Sequence, residues 1–228
     1  MKHAGKAGQA GRKLIFWTLV LLLVAIGAGV VAVFIGSVIT FLATGLVGLW
    51  ILFALFTLYF FRDPNPRVPM EPNVIVAPAH GKVDLIDETD EPVFIGGRCK
   101  RVSIFLSVFN VHVQQAPVAG RVVLLKHTPG QYLNALKAES AAHNENVFLG
   151  LESKERPGEK IGVRLIAGLI ARRILPWVGE GDEIARGERI SLIQFGSRVD
   201  LYLPLATTIT VKTGDKVVGG QTVVATRN

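Results

Sequence analysis

A glycine–serine pair interrupts a strand-like stretch near the end of the chain. The sequence LIQFGSRVDLYLP, residues 192–204, has apolar residues on both sides of Gly196 and Ser197. One interpretation is a turn, where serine after glycine is common. The other is a bond that the protein cuts itself. A serine hydroxyl can attack the preceding carbonyl, and glycine, which has no Cβ, permits the distorted backbone that such an attack requires.

The products of this cut would include a cofactor. The attack converts the peptide bond into an ester, and β-elimination then releases the upstream chain and leaves dehydroalanine at position 197. Hydrolysis of the dehydroalanine releases ammonia and leaves a pyruvoyl group. The pair Gly196-Ser197 therefore offers a source of a covalent ketone at a new chain terminus.

The elements that would position this chemistry begin with an apolar segment. Residues 14–61 contain no Asp, Glu, Lys or Arg. As helix they would extend roughly 72 Å at about 1.5 Å per residue, whereas one bilayer crossing needs roughly 30 Å. The segment predicts a membrane anchor of two transmembrane helices, a helical hairpin with its break near Gly36-Ser37 or Gly45. A single long tilted span and a cleaved signal peptide are the alternatives.

Basic residues flank this anchor on both sides. They are Lys2, Lys6, Arg12 and Lys13 in the tail of residues 1–13, and Arg62 and Arg67 after the anchor. The positive-inside rule then predicts that both ends, and the domain that follows, lie on the cytoplasmic side of the cell (inner) membrane. The formal net charge is +7, most of it from the tail. This distribution suits an anionic leaflet and disfavours nucleic acid as a partner.

The rest of the chain is predicted to be mainly β, in the α+β class. A proline-rich linker, residues 62–73, leads into residues 74–228, where short alternating β-branched stretches are separated by Gly, Pro and Asp. This pattern is typical of an antiparallel β domain. Residues 133–143 are the best candidate for a helix within it. The apolar stretch IGVRLIAGLIARRI is ambiguous, and we favour a strand.

Two internal repeats refine this prediction. The motif Ala-Pro-x-x-Gly-Lys/Arg-Val occurs at residues 77–83 and 116–122. The motif Val-x-x-Gly-Asp-x-Ile/Val-x-x-Gly occurs at residues 178–187 and 211–220. In the second motif, Gly-Asp supplies a tight turn and the aliphatic residues fill a core. The pattern resembles the hammerhead β-sandwich of biotinyl and lipoyl carrier domains, but no exposed carrier lysine tip is present.

Longer motifs resemble one enzyme family. They are FFRDPNP, VIVAPAHGKV, LSVFNVHVQQAPVAGRV, NEN, VRLIAGLIARRI, VGEGDEIARGERISLIQFGSRVDLYLP and TVKTGDKVVGGQTVVA. Together they resemble phosphatidylserine decarboxylase, specifically the short membrane-anchored form of archaea and many bacteria. The resemblance covers nearly the whole chain.

The resemblance implies a zymogen of phospholipid biosynthesis that cleaves itself between Gly196 and Ser197. The products would be a β chain, residues 1–196, and an α chain, residues 197–228, which stay together as partners. Ser197 would become the pyruvoyl group, a covalent pyruvate cofactor, and no metal is implied. Its ketone would form a Schiff base with the amine of phosphatidylserine in the membrane. Loss of CO₂ from this adduct would yield phosphatidylethanolamine. The pyruvoyl cofactor would act as the electron sink in that step.

The resemblance also assigns acid–base residues. His112, in FNVHVQQAP, lies where the family has a histidine and is assigned to proton transfer. His80, in PAHG, replaces an aspartate that assists self-cleavage in longer members, and Gln115 replaces their second histidine. His80 is therefore a candidate base for cleavage, with the alternative that the short form organises cleavage differently.

Two further residues are candidates for substrate binding. Arg164, in VRLIAG, could meet a phosphate or carboxylate, and Tyr202 lies shortly after Ser197. Strand alternation would turn Val199 and Leu201 one way and Asp200 and Tyr202 the other. The sequence leaves the oligomeric state open.

Three alternatives compete with the decarboxylase. The first is an uncleaved membrane-anchored adaptor or scaffold with a carrier-like β domain, which would have no need of Gly196-Ser197 beside His112. The second is an inactive homologue that lost cleavage when positions 80 and 115 changed. The third is another amino substrate for the same pyruvoyl chemistry. An uncut chain would identify either of the first two.

Overall fold

The computed structural model describes residues 6–133, 143–168, 173–194 and 197–227. It divides into two compact units, Met1–Thr57 and Leu58–Asn228. Among the described residues, the first unit is helical and the second contains the strands.

The expected helical hairpin is not formed. Residues Lys6–Phe60 make one uninterrupted helix, α1, with no turn at Gly36-Ser37 or Gly45. Within it, Lys13–Phe60 is long and apolar enough to cross a membrane, with a mean hydropathy of 2.9. The apolar N-terminal helix indicates membrane anchoring, as the sequence predicts, but by a continuous helix.

The physical reason lies in how the small residues of α1 behave. Ser37 Oγ donates to the Phe34 carbonyl at 2.7 Å, and Thr40 Oγ1 donates to the Gly36 carbonyl at 2.9 Å. These hydroxyls therefore find partners inside the helix and need no loop. A helical glycine costs only about 1 kcal/mol relative to alanine, and no proline breaks the hydrogen-bond ladder between residues 14 and 61. Without a breaker, helix continues through the expected turn.

The second unit confirms the mainly β prediction. Its strands are β1 (Val74–Val76), β2 (Gly81–Glu91), β3 (Gly97–Leu106), β4 (Val113–Gln115), β5 (Gly120–Thr128), β6 (Asn146–Ser153), β7 (Lys160–Ala167), β8 (Ile174–Pro176), β9 (Glu183–Ile184), β10 (Arg189–Ile193), β11 (Ser197–Leu203), β12 (Thr208–Ile209), β13 (Lys216–Val217) and β14 (Val223–Thr226). The ambiguous stretch after Lys160 is a strand as far as Ala167. The expected helix at 133–143 lies, apart from its two end residues, outside the described residues.

The strands form three antiparallel sheets. The largest has eight strands in the order β13-β2-β3-β11-β7-β6-β5-β9. Two three-stranded sheets have the orders β1-β14-β12 and β4-β10-β8. The core consists of alternating apolar residues of these strands, such as Ile104, Leu165 and Leu201, which are fully buried. β11 thus pairs on both sides, with β3 and β7.

The two sequence motifs pair with each other in the fold: each copy of the Ala-Pro motif pairs with one copy of the Gly-Asp motif. In one copy Gly81 pairs with Val217, and in the other Gly120 pairs with Ile184. The second motif's glycines have positive φ in both copies, for example 97° at Gly181 and 104° at Gly214. The fold therefore contains two equivalent corners, β2 with β13 and β5 with β9, and differences between them can be read position by position.

Candidate active site

Ser197 is the first residue of β11 and is completely buried. It pairs with Leu106 at the end of β3 and with Ala167 at the end of β7. Its Oγ has no hydrogen-bond partner within the described part of the chain. A buried hydroxyl left without a partner costs about 1–3 kcal/mol, so its presence calls for a role. Gly196, the other half of the predicted cleavage site, lies outside the described residues.

A second serine shows that burial alone does not define the site. Ser103, in the middle of β3, is also fully buried, and its Oγ also lacks a partner among the described residues. Its neighbour across the ladder is Asp200, so it lies inside regular sheet. Ser197 instead lies at a strand end, directly after a glycine. The two serines therefore make a matched pair for experiments.

His112 is brought to the same end of the sheet by the loop of residues 107–112. This loop leaves β3 after Leu106, the partner of Ser197, and enters β4 at Val113, which pairs with Leu192 of β10. The connection from β10 to β11 runs alongside it, because β10 pairs with β4 and β11 pairs with β3. The backbone amide of Ile193 donates to the His112 carbonyl at 3.1 Å. The β3–β4 connection, which carries His112, and the β10–β11 connection, which leads to Ser197, therefore lie at the same end of the sheet.

The loop also fixes the state of the His112 ring. Nδ1 lies 2.9 Å from the Asn110 carbonyl, and because a carbonyl can only accept, Nδ1 carries the proton. In the neutral ring Nε2 then carries the lone pair. Burial lowers the pKa of His112 to about 4; the bond to Asn110 opposes this, and the charge of Arg62 adds to it. At neutral pH the ring is an uncharged base.

Residues 59–62 hold this loop from outside. The Phe60 ring lies 4.4 Å from the His112 ring, centroid to centroid. Arg62 Nη2 donates to the Phe109 carbonyl at 2.6 Å, and the Tyr59 hydroxyl donates to the same carbonyl at 3.1 Å. The Arg62 guanidinium also lies 3.9 Å from the centre of the Tyr59 ring. Tyr59 and Phe60 end the apolar segment and Arg62 follows it, and the sequence assigned them only to an anchor and a linker.

His80 reaches the same sheet end from β2. It precedes Gly81, and Lys82 pairs with Phe105, the residue before Leu106. Because β3 lies between β2 and β11, the backbones at His80 and Ser197 are roughly 9–10 Å apart, or two strand spacings. Burial lowers the pKa of His80, and Arg62 lowers it further against the opposing charge of Asp63. Its Nε2 is buried and has no partner in the described ranges.

Gln115, which replaces the second histidine of longer members, is fully buried beside these residues. Its backbone amide donates to the Pro78 carbonyl at 2.8 Å. A Cβ added at Gly219 would meet Gln115 Oε1, so the Gln115 side chain packs directly against this glycine. Neither side-chain polar atom of Gln115 has a partner within the described part of the chain. Through Pro78, Gln115 is therefore tied to the segment that carries His80, two residues before it.

A cavity of about 540 Å³ opens at this end of the sheet. Its lining includes His80 and Asn110 together with three cations, Arg62, Lys82 and Lys216. Ser107 and Val111 of the loop that carries His112 form part of its wall. Lys82 and Lys216 had no assigned role in the sequence. Aligning the two repeats would have revealed them, because the second copy has Arg121 and Glu183 at the equivalent positions.

Arg164 and Tyr202 lie elsewhere. The alternation along β11 is as expected, with Val199 and Leu201 in the core, and Tyr202 faces the opposite side. Tyr202 and Arg164 line a separate cavity of about 260 Å³ together with Asp90 and Lys126. Burial raises the pKa of Tyr202, and a hydrogen bond from Arg164 opposes this. The geometry does not bring either side chain to Ser197.

Buried charges hold the beginning of β11, directly after Ser197. Arg198 is 1% exposed, its Nη1 lies 2.5 Å from Asp84 Oδ2 on β2, and its Nε lies 3.1 Å from Asp200 Oδ1. Burial raises the pKa of Asp84, and Arg198 opposes this. Arg198 thus reaches across β3 and ties the start of β11 to β2.

Asn144, in the NEN motif, fixes the opposite side of Ser197. Its Nδ2 donates to the Ala167 carbonyl at 2.7 Å and to the Leu133 carbonyl at 2.9 Å. Its Oδ1 accepts from the Leu133 amide at 2.8 Å. Ala167 is the cross-strand neighbour of Ser197, so this motif holds the end of β7 in place. This role of the NEN motif could not be derived from the sequence.

Comparison with known proteins supplies independent information. The family model described as phosphatidylserine decarboxylase matches residues 53–225. A protein named phosphatidylserine decarboxylase proenzyme from Desulfotalea psychrophila is 47% identical over 175 residues, covering 77% of this chain and 81% of its own. Proteins of the same name from Symbiobacterium thermophilum and Chlorobium phaeobacteroides are each 42% identical; the first match covers 84% of this chain and 91% of that protein, and the second covers 94% and 96%.

Proposed function

Because the chain belongs to the phosphatidylserine decarboxylase family, we propose that it matures by cutting itself between Gly196 and Ser197 and acts through a pyruvoyl group at position 197. The activity is that of a phosphatidylserine decarboxylase, a carboxy-lyase of phospholipid biosynthesis. The proposed product is phosphatidylethanolamine. The proposed assembly is the β chain 1–196 with the α chain 197–228.

One observation carries the mechanism: the hydroxyl of Ser197 is buried at the strand end beside the His112 loop and has no partner among the described residues. Ser197 has no exposed surface in the uncut chain, so bulk water is kept away while its hydroxyl attacks. Water has to enter only after the cut, to hydrolyse the dehydroalanine. The position also fits a pyruvoyl group, which is small and has no hydroxyl to satisfy. Such a group supplies an electrophilic carbonyl that withdraws electrons from an attached amine.

The chain's own acid–base group for turnover is His112. The serine amine of the lipid arrives protonated and cannot attack a carbonyl in that state. His112 Nε2 is uncharged at neutral pH and is the proposed acceptor of that proton as the amine attacks; because the pKa of His112 is lowered, the ring readily gives the proton up again. The imidazolium, still held through Nδ1 by the Asn110 carbonyl, returns a proton to the serine carbon after CO₂ leaves. His80 is the proposed base for self-cleavage, since its Nε2 is neutral, buried and unpartnered among the described residues.

The activity is tested with the full chain in detergent. We expect mixed micelles containing phosphatidylserine labelled at the serine carboxylate to release labelled CO₂ and to accumulate phosphatidylethanolamine. Cyanoborohydride should inactivate the protein only when lipid is present and should add the lipid's decarboxylated mass to the fragment that begins at residue 197. Labelled CO₂ release without any such adduct would contradict the pyruvoyl mechanism.

The scaffold alternative predicts a different result in the same experiment. An adaptor would run as one uncut chain of 24.7 kDa and would release no CO₂. The inactive homologue makes the same prediction. Finding no cut and no turnover under conditions that support lipid binding would therefore replace the proposed mechanism with one of these two.

We further propose that the domain after α1 lies on the cytoplasmic side of the cell membrane. The support is the basic residues that follow the apolar segment on the domain side, Arg62 and Arg67. In a Cys99→Ser background, a cysteine at Met70, whose side chain is 92% exposed, should resist a membrane-impermeant maleimide in intact cells. It should react after permeabilisation. A cysteine at position 4 reports the side of the tail in the same cells.

Labelling of Met70→Cys in intact cells would contradict the cytoplasmic placement. Because α1 is continuous, the tail position is informative in its own right. A helix that crosses once puts position 4 on the opposite side from position 70, whereas a helix that bends back puts both on one side. The two labelling patterns therefore distinguish a crossing anchor from a returning one.

A further inference from the structure

The cavity near His112 is lined by cations without anionic partners. Arg62, Lys82 and Lys216 line its wall, and no Asp or Glu is among the described residues that do so. None of the three forms an ion pair with an acid in the described ranges. His80 adds no charge, because its pKa is lowered. The cavity is therefore positively charged at neutral pH.

Two of these cations face each other in an unfavourable arrangement. Lys82 on β2 and Lys216 on β13 are directly paired in antiparallel register. Like charges in such positions repel and destabilise the pair of strands. An anion placed between the two ammonium groups would convert that repulsion into attraction. The pairing is therefore one that a bound anion would stabilise.

The equivalent corner of the fold supplies a comparison. There the paired positions are Arg121 on β5 and Glu183 on β9, which have opposite charges. The backbone hydrogen bonds agree in the two corners: the Gly181 amide donates to Val122 and the Gly214 amide to Val83, each at 2.8 Å. The fold therefore does not require two cations at this pair of positions. The corner beside His112 differs in charge and not in architecture.

Nearby acids are engaged elsewhere. Asp63 lies 2.5 Å from Arg189, and Asp84 lies 2.5 Å from Arg198. Asp215, next to Lys216, accepts from the Lys212 amide at 2.8 Å. These contacts leave the cavity cations to a ligand, and Arg62 is already oriented by the Tyr59 and Phe109 carbonyls.

We propose that this cavity is an anion subsite that holds the phosphodiester of the lipid headgroup, between Lys82, Lys216 and Arg62. The proposal rests on the proposed function for the identity of the lipid. Its position fits that role, because the loop of residues 107–112 forms one wall and carries His112. Arg62 follows the apolar segment, the part of the chain expected in the membrane. A headgroup bound here would have its phosphate at the cations and its serine beside His112.

The binding test uses the full Ser197→Ala chain in detergent, which needs neither cleavage nor turnover. The probes are glycerophosphoserine, which is the headgroup without acyl chains, and inorganic phosphate. We expect glycerophosphoserine to bind, and Lys216→Glu, which recreates the opposite charges of the other corner, to weaken its binding about tenfold. Lys216→Gln should weaken it less. The matched control, Glu183→Lys, creates a like-charge pair at the other corner and should leave binding unchanged.

The outcomes separate the sources of the anion. Binding of inorganic phosphate alone, or equal losses in Lys216→Glu and Glu183→Lys, would overturn the headgroup subsite. Headgroup binding that Lys216→Glu does not weaken would also overturn it. Far-ultraviolet circular dichroism identifies any variant that has lost its fold, in which case Lys82→Gln repeats the test on the opposing strand.

Kinetics on the cleaved protein provides the second measurement. Lys216→Glu should raise KM for phosphatidylserine in mixed micelles about tenfold and leave kcat within about twofold, since the phosphodiester does not change during the reaction. A fall in kcat without a change in KM would contradict a binding role. If the wild-type chain is never cut, the proposed mechanism fails while the binding test still decides the subsite.

Discussion

Ser197→Ala is expected to yield a single uncut chain with no decarboxylase activity. The wild-type protein should instead give two fragments, residues 1–196 and 197–228. Alanine has no hydroxyl to attack the Gly196 carbonyl, so neither the ester nor the elimination that follows can form. The measurement is the intact mass of both proteins. The wild-type small fragment should be lighter, by one ammonia, than the same peptide with an N-terminal serine.

Ser103→Ala is the matched control for this experiment. Both serines are buried with hydroxyls unpartnered among the described residues, so both substitutions remove the same atom from the same kind of environment. Ser103→Ala should be cut and active, because Ser103 does not follow a glycine at a strand end. If Ser197→Ala were still cut after residue 196, the hydroxyl would not be the nucleophile. If both variants stayed uncut, the loss would reflect folding.

His112→Ala is expected to be cut normally but to lose about 10²- to 10⁴-fold in kcat, the usual contribution of a positioned acid–base group. The loss follows from removing Nε2, the uncharged nitrogen that accepts the proton of the substrate amine. His112→Gln keeps most of the packing against Phe60 and should lose as much, which separates proton transfer from packing. The measurement is turnover per cleaved molecule, with cleavage read from intact mass.

His127→Ala is the control histidine. Its side chain is 55% exposed and lies 3.2 Å from Glu145 on the surface of β5. Its substitution should leave kcat nearly unchanged. Equal losses of kcat at His127 and His112 would contradict the assignment of His112 to proton transfer. Because the pKa of His112 is lowered to about 4, its ring stays uncharged from pH 8 down to about pH 5. The wild-type rate should therefore not fall through protonation of His112 in that range.

The β domain could be predicted in large part because its signals are local. Alternating β-branched residues give strands, and the Gly-Asp motifs give turns at Gly181 and Gly214, whose positive φ only glycine adopts easily. The anchor could not be resolved in the same way. Its length suggests two spans, but nothing at Gly36 or Gly45 opposes helix, and local chemistry produced one continuous α1.

The candidate site was predictable where chemistry depends on neighbours in sequence. The pair Gly196-Ser197 and the motif around His112 are of this kind. The like-charged pair of Lys82 and Lys216 is different: aligning the repeats shows the difference in charge, but only the register of β2 against β13 shows that the two lysines face each other. The same holds for Tyr202. Strand alternation predicts that it lies on the opposite face from Val199 and Leu201, but only the packed sheet shows which of the two faces is the main core.

The central position of β11 has a consequence for the mature protein. All seven residues of this strand are buried, and both of its edges are hydrogen-bonded, to β3 and β7. A cut before its first residue opens the covalent chain but none of these ladders. The two pieces should then behave like a reassembled split protein. Heat or denaturant would separate them only by unfolding both, in one transition. The nick would then leave the size and secondary structure of the native protein unchanged, and chain masses or turnover would be needed to detect it.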